Sequence, residues 1–259
     1  MQTTHGYLSA GNVEEAIDTY KRASMQISLS QKQRTVSGLF ANADEWLQDV
    51  RNRKEKPEQY TGLKTGFTRF DDMTGGLFPA ELTIFFGLSG KGKSTVMKNI
   101  VDRVVNSGHN VLFVPNEENK RQVETKFISL MTNIPGYLFK NGKFDDKQYE
   151  LVDKFLHNKG NMGEIYIQPI NQGVDATVIE RQFNSLSAKG IKIDLIVVDY
   201  LDLMGSPFKT YSEWDEQGKI TNSLKQLAIN CNVPVVTCTQ AAIESEKEEK
   251  KDNPFLTQS

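Results

Sequence analysis

The chain has 259 residues, of which 38% are hydrophobic and 25% are charged, and its formal net charge is −2. This composition is typical of a globular protein with a buried core, and it excludes the disordered and fibrous classes. The near-neutral charge excludes a basic surface over the whole chain, so any contact with nucleic acid must come from a local patch or from several copies around a shared channel.

Two short helices are predicted in the first 60 residues. Apolar residues recur at helical spacing within residues 12–27 and again within residues 41–60, where a charged run ends near Pro57. Two helices of this size bury little apolar surface. We therefore interpret residues 1–60 either as a helical arm or linker that needs a partner surface, or as an extension packed on its own domain.

Strands and helices alternate in the second predicted domain, residues 61–259. Strands are predicted at 81–87, 110–116, 164–170, 193–204 and 233–240, and helices at 93–108, 121–131, 147–157, 175–190 and 217–232. Apolar strands that alternate with helices are typical of a parallel sheet covered on both faces. The sequence therefore predicts an α/β fold with a mostly parallel sheet.

The stretch GLSGKGKST, residues 87–95, links the first predicted strand of this domain to the first helix. It fits the pattern G-x-x-x-x-G-K-[ST] of a phosphate-binding P-loop, in which glycines allow backbone N–H groups to surround phosphate oxygens. The lysine is expected to contact the β- and γ-phosphates, and the following hydroxyl is expected to bind Mg²⁺. Lys91 is interpreted either as a solvated side chain or as a charge that attracts anions. The residues predicted to bind ATP are Gly87, Ser89, Gly90, Lys91, Gly92, Lys93, Ser94 and Thr95.

A carboxylate follows the most apolar predicted strand. Asp199 ends the run LIVVD, and a rigid buried strand of this kind is what a Walker B aspartate requires to face the water shell of Mg²⁺. Together with the P-loop, this position predicts a magnesium site formed by Ser94 and Asp199.

Hydrolysis also needs a carboxylate that orients and deprotonates the attacking water. Glu117 and Glu118 follow the second predicted strand of the domain, and we favour Glu117, with Glu118 as the alternative. Gln240, at the end of the last predicted strand, is a candidate sensor of the γ-phosphate, with Thr239 as a weaker one.

Three separated blocks, residues 65–100, 193–204 and 223–240, resemble the motor domain of DnaB-type replicative helicases. The first block begins with TGFTRFDDMTGGLFPAEL, residues 65–82, which we call the lead-in segment. The resemblance spans about residues 62–258 and implies a RecA-like P-loop NTPase core that hydrolyses ATP to move along single-stranded DNA. It also implies a homohexameric ring, a primase or helicase loader as partner, and Glu117 as the catalytic glutamate.

Two departures from that family are expected. Its members carry a helical N-terminal domain, whereas about 60 residues precede the motor in this sequence. They also continue past the glutamine strand with DNA-binding loops and an arginine finger that reaches the neighbour's ATP. We therefore expect the motor to lack its C-terminal part, and we assign no finger arginine.

DNA contacts are predicted in the segment 205–214, which follows the Walker B strand. Phe208, Lys209 and Tyr211 combine one charge with aromatic faces on which bases of a single strand could stack. A second candidate segment contains Lys247, Lys250 and Lys251, among glutamates that nearly cancel their charge. The alternative interpretation of both segments is a mobile surface loop.

Membrane insertion and secretion are not indicated. No apolar run approaches the roughly 20 residues of a membrane helix, and the first residues lack the basic start and apolar centre of a signal peptide. Cys231 and Cys238 do not have a metal-ligand spacing and are interpreted as reduced core thiols. We expect a cytoplasmic protein in a bacterial or viral replication context.

Three functions compete at this point. The first is a ring ATPase that unwinds DNA, and the second is a RecA- or clock-type ATPase in which ATP controls assembly without unwinding. The third is a truncated nucleotide-binding module that does not hydrolyse ATP. The lead-in segment favours the first function over the second.

Overall fold

The protein is described here by a computed structural model. The residues whose placement it describes are 38–88, 90–115, 118–169, 175–199, 204 and 213–240, with the backbone alone described for residues 39 and 213–215. Contacts within the chain divide it into two units, residues 1–60 and residues 61–259.

The first unit contains helix α1, Ala43–Glu55, between two 3-10 turns, Leu39–Asn42 and Pro57–Tyr60. The helix occupies part of the predicted segment 41–60, whereas the helix predicted within residues 12–27 lies outside the described residues.

No residue of α1 is buried. Trp46, Leu47 and Val50, which carry its helical periodicity, are 59%, 55% and 48% exposed. The guanidinium of Arg53 lies 5.0 Å from the centre of the Tyr60 ring, so that α1 contacts the turn that follows it.

The second unit alternates strands and helices as predicted. In chain order, its elements are α2 (Thr68–Thr74), β1 (Leu82–Gly87), α3 (Lys93–Asn106), β2 (Val111–Pro115), α4 (Lys120–Thr132), α5 (Gly136–Asn141), α6 (Asp146–His157), β3 (Ile165–Ile167), α7 (Ala176–Ala188), β4 (Leu195–Asp199), α8 (Glu213–Cys231) and β5 (Val235–Gln240).

The five strands found among the described residues form one parallel sheet in the order β1-β5-β4-β2-β3. The predicted α/β fold with a parallel sheet covered by helices is therefore confirmed. Strand β2 and the first four residues of β4 are continuous apolar runs because successive side chains point to opposite faces and both faces are buried. Val198 packs in the cluster with α7 and α8, whereas its neighbour Val197 packs in the cluster with α3 and α4.

Two helices of the second unit, α2 and α5, were not predicted. They have seven and six residues, which is too short for a recognisable apolar period. Helix α8 also begins at Glu213, four residues before the predicted start at residue 217. Among the helices of the described residues, none is long and apolar enough to cross a membrane.

The lead-in segment is held by a single buried carboxylate. Asp71, 7% exposed, accepts hydrogen bonds from the Thr65 backbone N–H at 2.9 Å, from the Thr65 hydroxyl at 2.8 Å and from the Gly66 N–H at 3.0 Å. Further along, Leu77 pairs with Leu63 in an antiparallel bridge and packs against the buried face of α3. The segment thereby connects the chain before β1 to the helix that follows the P-loop.

Candidate functional site

The predicted site residues on the strands meet at one edge of the sheet. In the strand register, Gly87 at the end of β1 lies opposite Gln240 at the end of β5, and Asp199 at the end of β4 lies opposite Pro115 at the end of β2. The carboxyl ends of parallel strands form the ligand-binding edge of open α/β sheets. Because β5 lies between β1 and β4, Gln240 ends the strand between the P-loop and Asp199.

The P-loop has a backbone that glycine alone adopts readily. Gly90 and Gly92 have φ angles of 72° and 84°, in the left-handed region. A Cβ atom on Gly90 would meet nothing within 4 Å, and one on Gly92 only Thr95 Cβ at 4.0 Å. The backbone conformation, rather than lack of space, therefore explains these two glycines.

The P-loop lysine folds back onto its own loop. Lys93 Nζ donates hydrogen bonds to the Gly87 carbonyl at 3.0 Å and to the Leu88 carbonyl at 3.1 Å. Lys91 and Thr95 are exposed, and Ser89 lies outside the described residues. The ammonium is thus held at the mouth of the loop, where α3 begins and its backbone N–H groups have no intrahelical partners.

The two predicted magnesium ligands are in contact. The Ser94 hydroxyl donates a hydrogen bond to Asp199 Oδ1 at 2.9 Å, although 105 positions separate them in the chain. The Cys238 thiol, on β5, also donates to Asp199 Oδ1, at 3.6 Å. Asp199 is 7% exposed, so its carboxylate is fixed by neighbours rather than by water.

These donors fit a magnesium ion. Hydroxyl and carboxylate oxygens are the ligands that Mg²⁺ prefers, and it commonly takes one or two from the protein and the rest from water and phosphates. Among the described residues no group of three or more His, Cys, Asp or Glu side chains could hold a metal ion. A site built on Ser94 and Asp199 thus suits a metal that arrives with a phosphate ligand.

Lys98 is a site residue that the sequence analysis missed. It is 8% exposed, and its ammonium lies 3.2 Å from Glu118 Oε1 and 3.6 Å from Asp199 Oδ2. One signal was available, since Lys98 precedes Val101 and Val105 by three and seven residues and so belongs to the buried face of α3. A lysine on that face requires a carboxylate partner.

Glu118 is held between two lysines. Lys126 Nζ lies 2.8 Å from Glu118 Oε2, on the side opposite Lys98. Burial alone would raise the pKa of Glu118, but the hydrogen bond from Lys126 and the charge of Lys98 outweigh burial and lower this pKa below its ordinary value. Glu118 is therefore ionised at neutral pH, with a lysine ammonium close to each of its two oxygens.

A cleft between α3 and the helices α4 and α5 opens onto these side chains. Its lining includes Ser94, Lys98, Glu118 and Lys126, and Lys140 at its α5 side. Solutes can therefore reach the carboxylate and lysine groups from this side of the sheet.

Several predicted site residues lie outside the described residues. They are Ser89, Glu117, Phe208, Lys209, Tyr211, Lys247, Lys250 and Lys251. Their roles stay predictions.

The chain is similar to a known protein family and to curated members of it. Residues 62–258 match the family model of the DnaB-like helicase C-terminal domain. A curated relative, the replicative DNA helicase DnaB of Geobacillus stearothermophilus, is 28% identical over 254 residues, which cover 95% of this chain and 54% of the relative. The chain spans about half the length of the curated relatives it matches.

Solved structures share the fold. A DnaB-like replicative helicase, described together with its interactions with primase, superposes with a TM-score of 0.68 at 18% identity, covering 94% of this chain and 57% of the other. A second solved structure, of an ATPase domain, superposes with a TM-score of 0.69 at 20% identity, covering 80% of this chain and 74% of the other. The family match, which includes the P-loop, Asp199 and Gln240, implies the use of a nucleotide. The chain belongs to the DnaB-like helicase C-terminal domain family.

Proposed function

We propose that this chain is the motor of a DnaB-type replicative DNA helicase, which hydrolyses ATP with Mg²⁺ to move along single-stranded DNA and unwind duplex. The observation that carries the proposal is the contact of Ser94 with Asp199 beside a P-loop, within residues that match the helicase family. The roles below follow from where each side chain lies.

Lys93 and the loop backbone bind the phosphates. The Lys93 ammonium donates hydrogen bonds to the carbonyls of Gly87 and Leu88. A triphosphate offers anionic oxygens to the same ammonium, and charge-assisted hydrogen bonds of this kind are stronger than bonds to neutral carbonyls. Lys93 therefore turns from the loop to the phosphates when ATP binds.

Ser94 and Asp199 hold the metal. Bound Mg²⁺ supplies positive charge that neutralises the β- and γ-phosphate oxygens. Ser94 presents its hydroxyl oxygen and Asp199 its carboxylate from the end of a strand whose five residues are all buried. A rigid strand end keeps the carboxylate in place before substrate arrives, so that little reorganisation is needed on binding.

A glutamate after β2 activates the attacking water. The oxygen of the water forms a bond to the γ-phosphorus, the bond from that phosphorus to the β–γ bridging oxygen breaks so that ADP leaves with the electron pair, and one proton of the water passes to the carboxylate. Glu118 is committed to Lys98 and Lys126, and its low pKa makes it a weak base. These contacts favour Glu117 as the general base. Gln240 is the proposed sensor of the γ-phosphate because it ends the strand between the P-loop and Asp199.

Single-stranded DNA is the proposed track, and a homohexamer that encloses it is the proposed assembly. A near-neutral subunit suits this arrangement because several copies can direct a few lysines, such as Lys209, into one channel. Primase is a proposed partner, supported by the DnaB-like helicase whose primase interactions are described. A helicase loader is a second proposed partner.

The experiment that tests the function is ATP hydrolysis by the purified chain, with and without single-stranded DNA, followed by displacement of a labelled strand from forked DNA. Turnover stimulated by DNA, with strand displacement, is expected. DNA-stimulated turnover without displacement would support a RecA- or clock-type ATPase instead. ATP binding without turnover would support a nucleotide-binding module.

A further inference from the structure

Lys98 places a positive charge where the magnesium site needs negative charge. Lys98 is 8% exposed, and its ammonium lies 3.6 Å from Asp199 Oδ2. Removing an ammonium from water is costly unless a carboxylate lies close to it, and Lys98 has two, Asp199 and Glu118.

Both oxygens of Asp199 have partners within the protein. Oδ1 accepts hydrogen bonds from the Ser94 hydroxyl and the Cys238 thiol, and Oδ2 faces the Lys98 ammonium. The two predicted metal ligands are thus satisfied by each other and by a cation that belongs to the protein. A divalent ion that approaches Asp199 meets a like charge within a few ångströms, which opposes binding.

We propose that Lys98 is a positioning residue that acts as a built-in counter-ion of Asp199 and closes the magnesium site to divalent cations until nucleotide binds. The inference rests on the proposed function, since it assigns Asp199 to the metal. Phosphate oxygens supply the additional negative charge that the ion needs to compete with Lys98. The metal therefore enters together with ATP rather than before it.

Glu118 allows this exchange. It already accepts a hydrogen bond from Lys98 at 3.2 Å, so the ammonium can move away from Asp199 without becoming unpaired. Lys126 holds the other oxygen of Glu118 at 2.8 Å and fixes the carboxylate that receives the ammonium. Lys98 thus pairs with two carboxylates. The metal competes with it for Asp199, whereas Glu118 remains its partner after the metal has bound.

The test is binding of Mn²⁺, used as a probe for Mg²⁺, to the nucleotide-free full chain, followed by the electron paramagnetic resonance signal of unbound Mn²⁺. The variant is Lys98→Met, whose unbranched side chain keeps the length and packing of α3. Removing the charge is expected to tighten Mn²⁺ binding about tenfold. This is the effect expected from the repulsion between a single and a double positive charge a few ångströms apart in a medium of high dielectric constant. Unchanged or weaker binding would overturn the proposal.

Lys126→Met is the matched control. Both lysines pair with Glu118, but among the described residues only Lys98 is also paired with Asp199, and Lys126 is 53% exposed. Because Lys126 pairs with Glu118 and not with Asp199, the Mn²⁺ affinity of this variant is expected to change much less than that of Lys98→Met. If Mn²⁺ binding tightened equally in both variants, the loss of any nearby positive charge would explain the effect, and the contact of Lys98 with Asp199 would not be needed. This result would also overturn the proposal.

A second variant tests the exchange itself. Glu118→Gln removes the negative charge with which Lys98 pairs when it moves away from Asp199. Lys98 then competes more strongly with the metal for Asp199, so the Mg²⁺ concentration that half-saturates binding of a fluorescent ATP analogue is expected to rise severalfold. An unchanged Mg²⁺ requirement would overturn the exchange step. Binding of the analogue to the wild-type chain with Mg²⁺ is measured in parallel, and its loss would count against the proposed function instead.

Discussion

Lys93 is the residue on which the proposed nucleotide binding depends most directly. Its ammonium is the charge held at the mouth of the P-loop by the Gly87 and Leu88 carbonyls. Lys93→Ala is expected to lower ATP turnover by roughly two orders of magnitude or more, because a positioned charge at the transferred phosphate is lost. Steady-state phosphate release measures this effect.

The control for that variant is Lys154→Ala, which removes an exposed lysine from α6 and is expected to leave turnover unchanged. Wild-type turnover in the Lys93 variant would contradict the assignment of residues 87–95 as the P-loop.

Cys231 is predicted to be an inert thiol. Burial, and to a smaller degree the negative charge of Glu180, raise the pKa of Cys231 to about 12. At pH 8 the thiolate is therefore about one part in ten thousand, and alkylation by iodoacetamide is expected to be slow in the folded chain and fast in urea. Mass spectrometry of the alkylated peptide measures both rates.

The sign of the pH dependence follows from the raised pKa of Cys231. Between pH 8 and 10 the alkylation rate of the folded chain is expected to rise about tenfold per pH unit, and a plateau near pH 9 would contradict the raised pKa. The folded chain retains a proton that the unfolded chain loses, so the contribution of Cys231 to stability is complete below about pH 8.5 and is lost as the pH rises toward 12.

At the scale of the element, the lead-in segment depends on one carboxylate. Asp71→Ala removes the acceptor of three hydrogen bonds and leaves the buried Thr65 O–H without an acceptor, although the hydroxyl oxygen still accepts from the Phe67 N–H. The free energy of unfolding is expected to fall by about 2–4 kcal/mol. Urea unfolding followed by circular dichroism measures the change.

The adjacent Asp72 is exposed and provides the matched control. Asp72→Ala is expected to change the free energy of unfolding by less than about 0.5 kcal/mol. Equal losses in the two variants would show that helix α2, rather than the hydrogen bonds of Asp71, accounts for the effect.

At the scale of the whole molecule, the proposed homohexamer is directly measurable. Mass photometry of the purified chain with ATP and Mg²⁺ is expected to give a species of six chains, because the ring is what allows a subunit of net charge −2 to concentrate lysines on DNA. A species that stays monomeric under these conditions would contradict the ring. ATP turnover would then show whether hydrolysis survives without it.

Much of the site was predictable because its signals are local. The glycines and lysine of residues 87–95 stand between an apolar strand and an amphipathic helix, and Asp199 directly follows an apolar run. Such patterns depend on neighbouring positions, and a parallel sheet brings strand ends to one edge whatever the order of the strands. Helices α2 and α5 escaped prediction because six or seven residues do not complete two turns of apolar period.

The sequence by itself determined the alternation of strands and helices, the P-loop and the strand-end positions of Asp199 and Gln240. Only the tertiary structure decided that β5 lies between β1 and β4, and that Lys98 is buried between Glu118 and Asp199. The physical reason is sequence distance. Periodicity reports which face of an element is apolar. The partners of the buried Lys98 charge, Glu118 and Asp199, lie 20 and about 100 positions away in the chain.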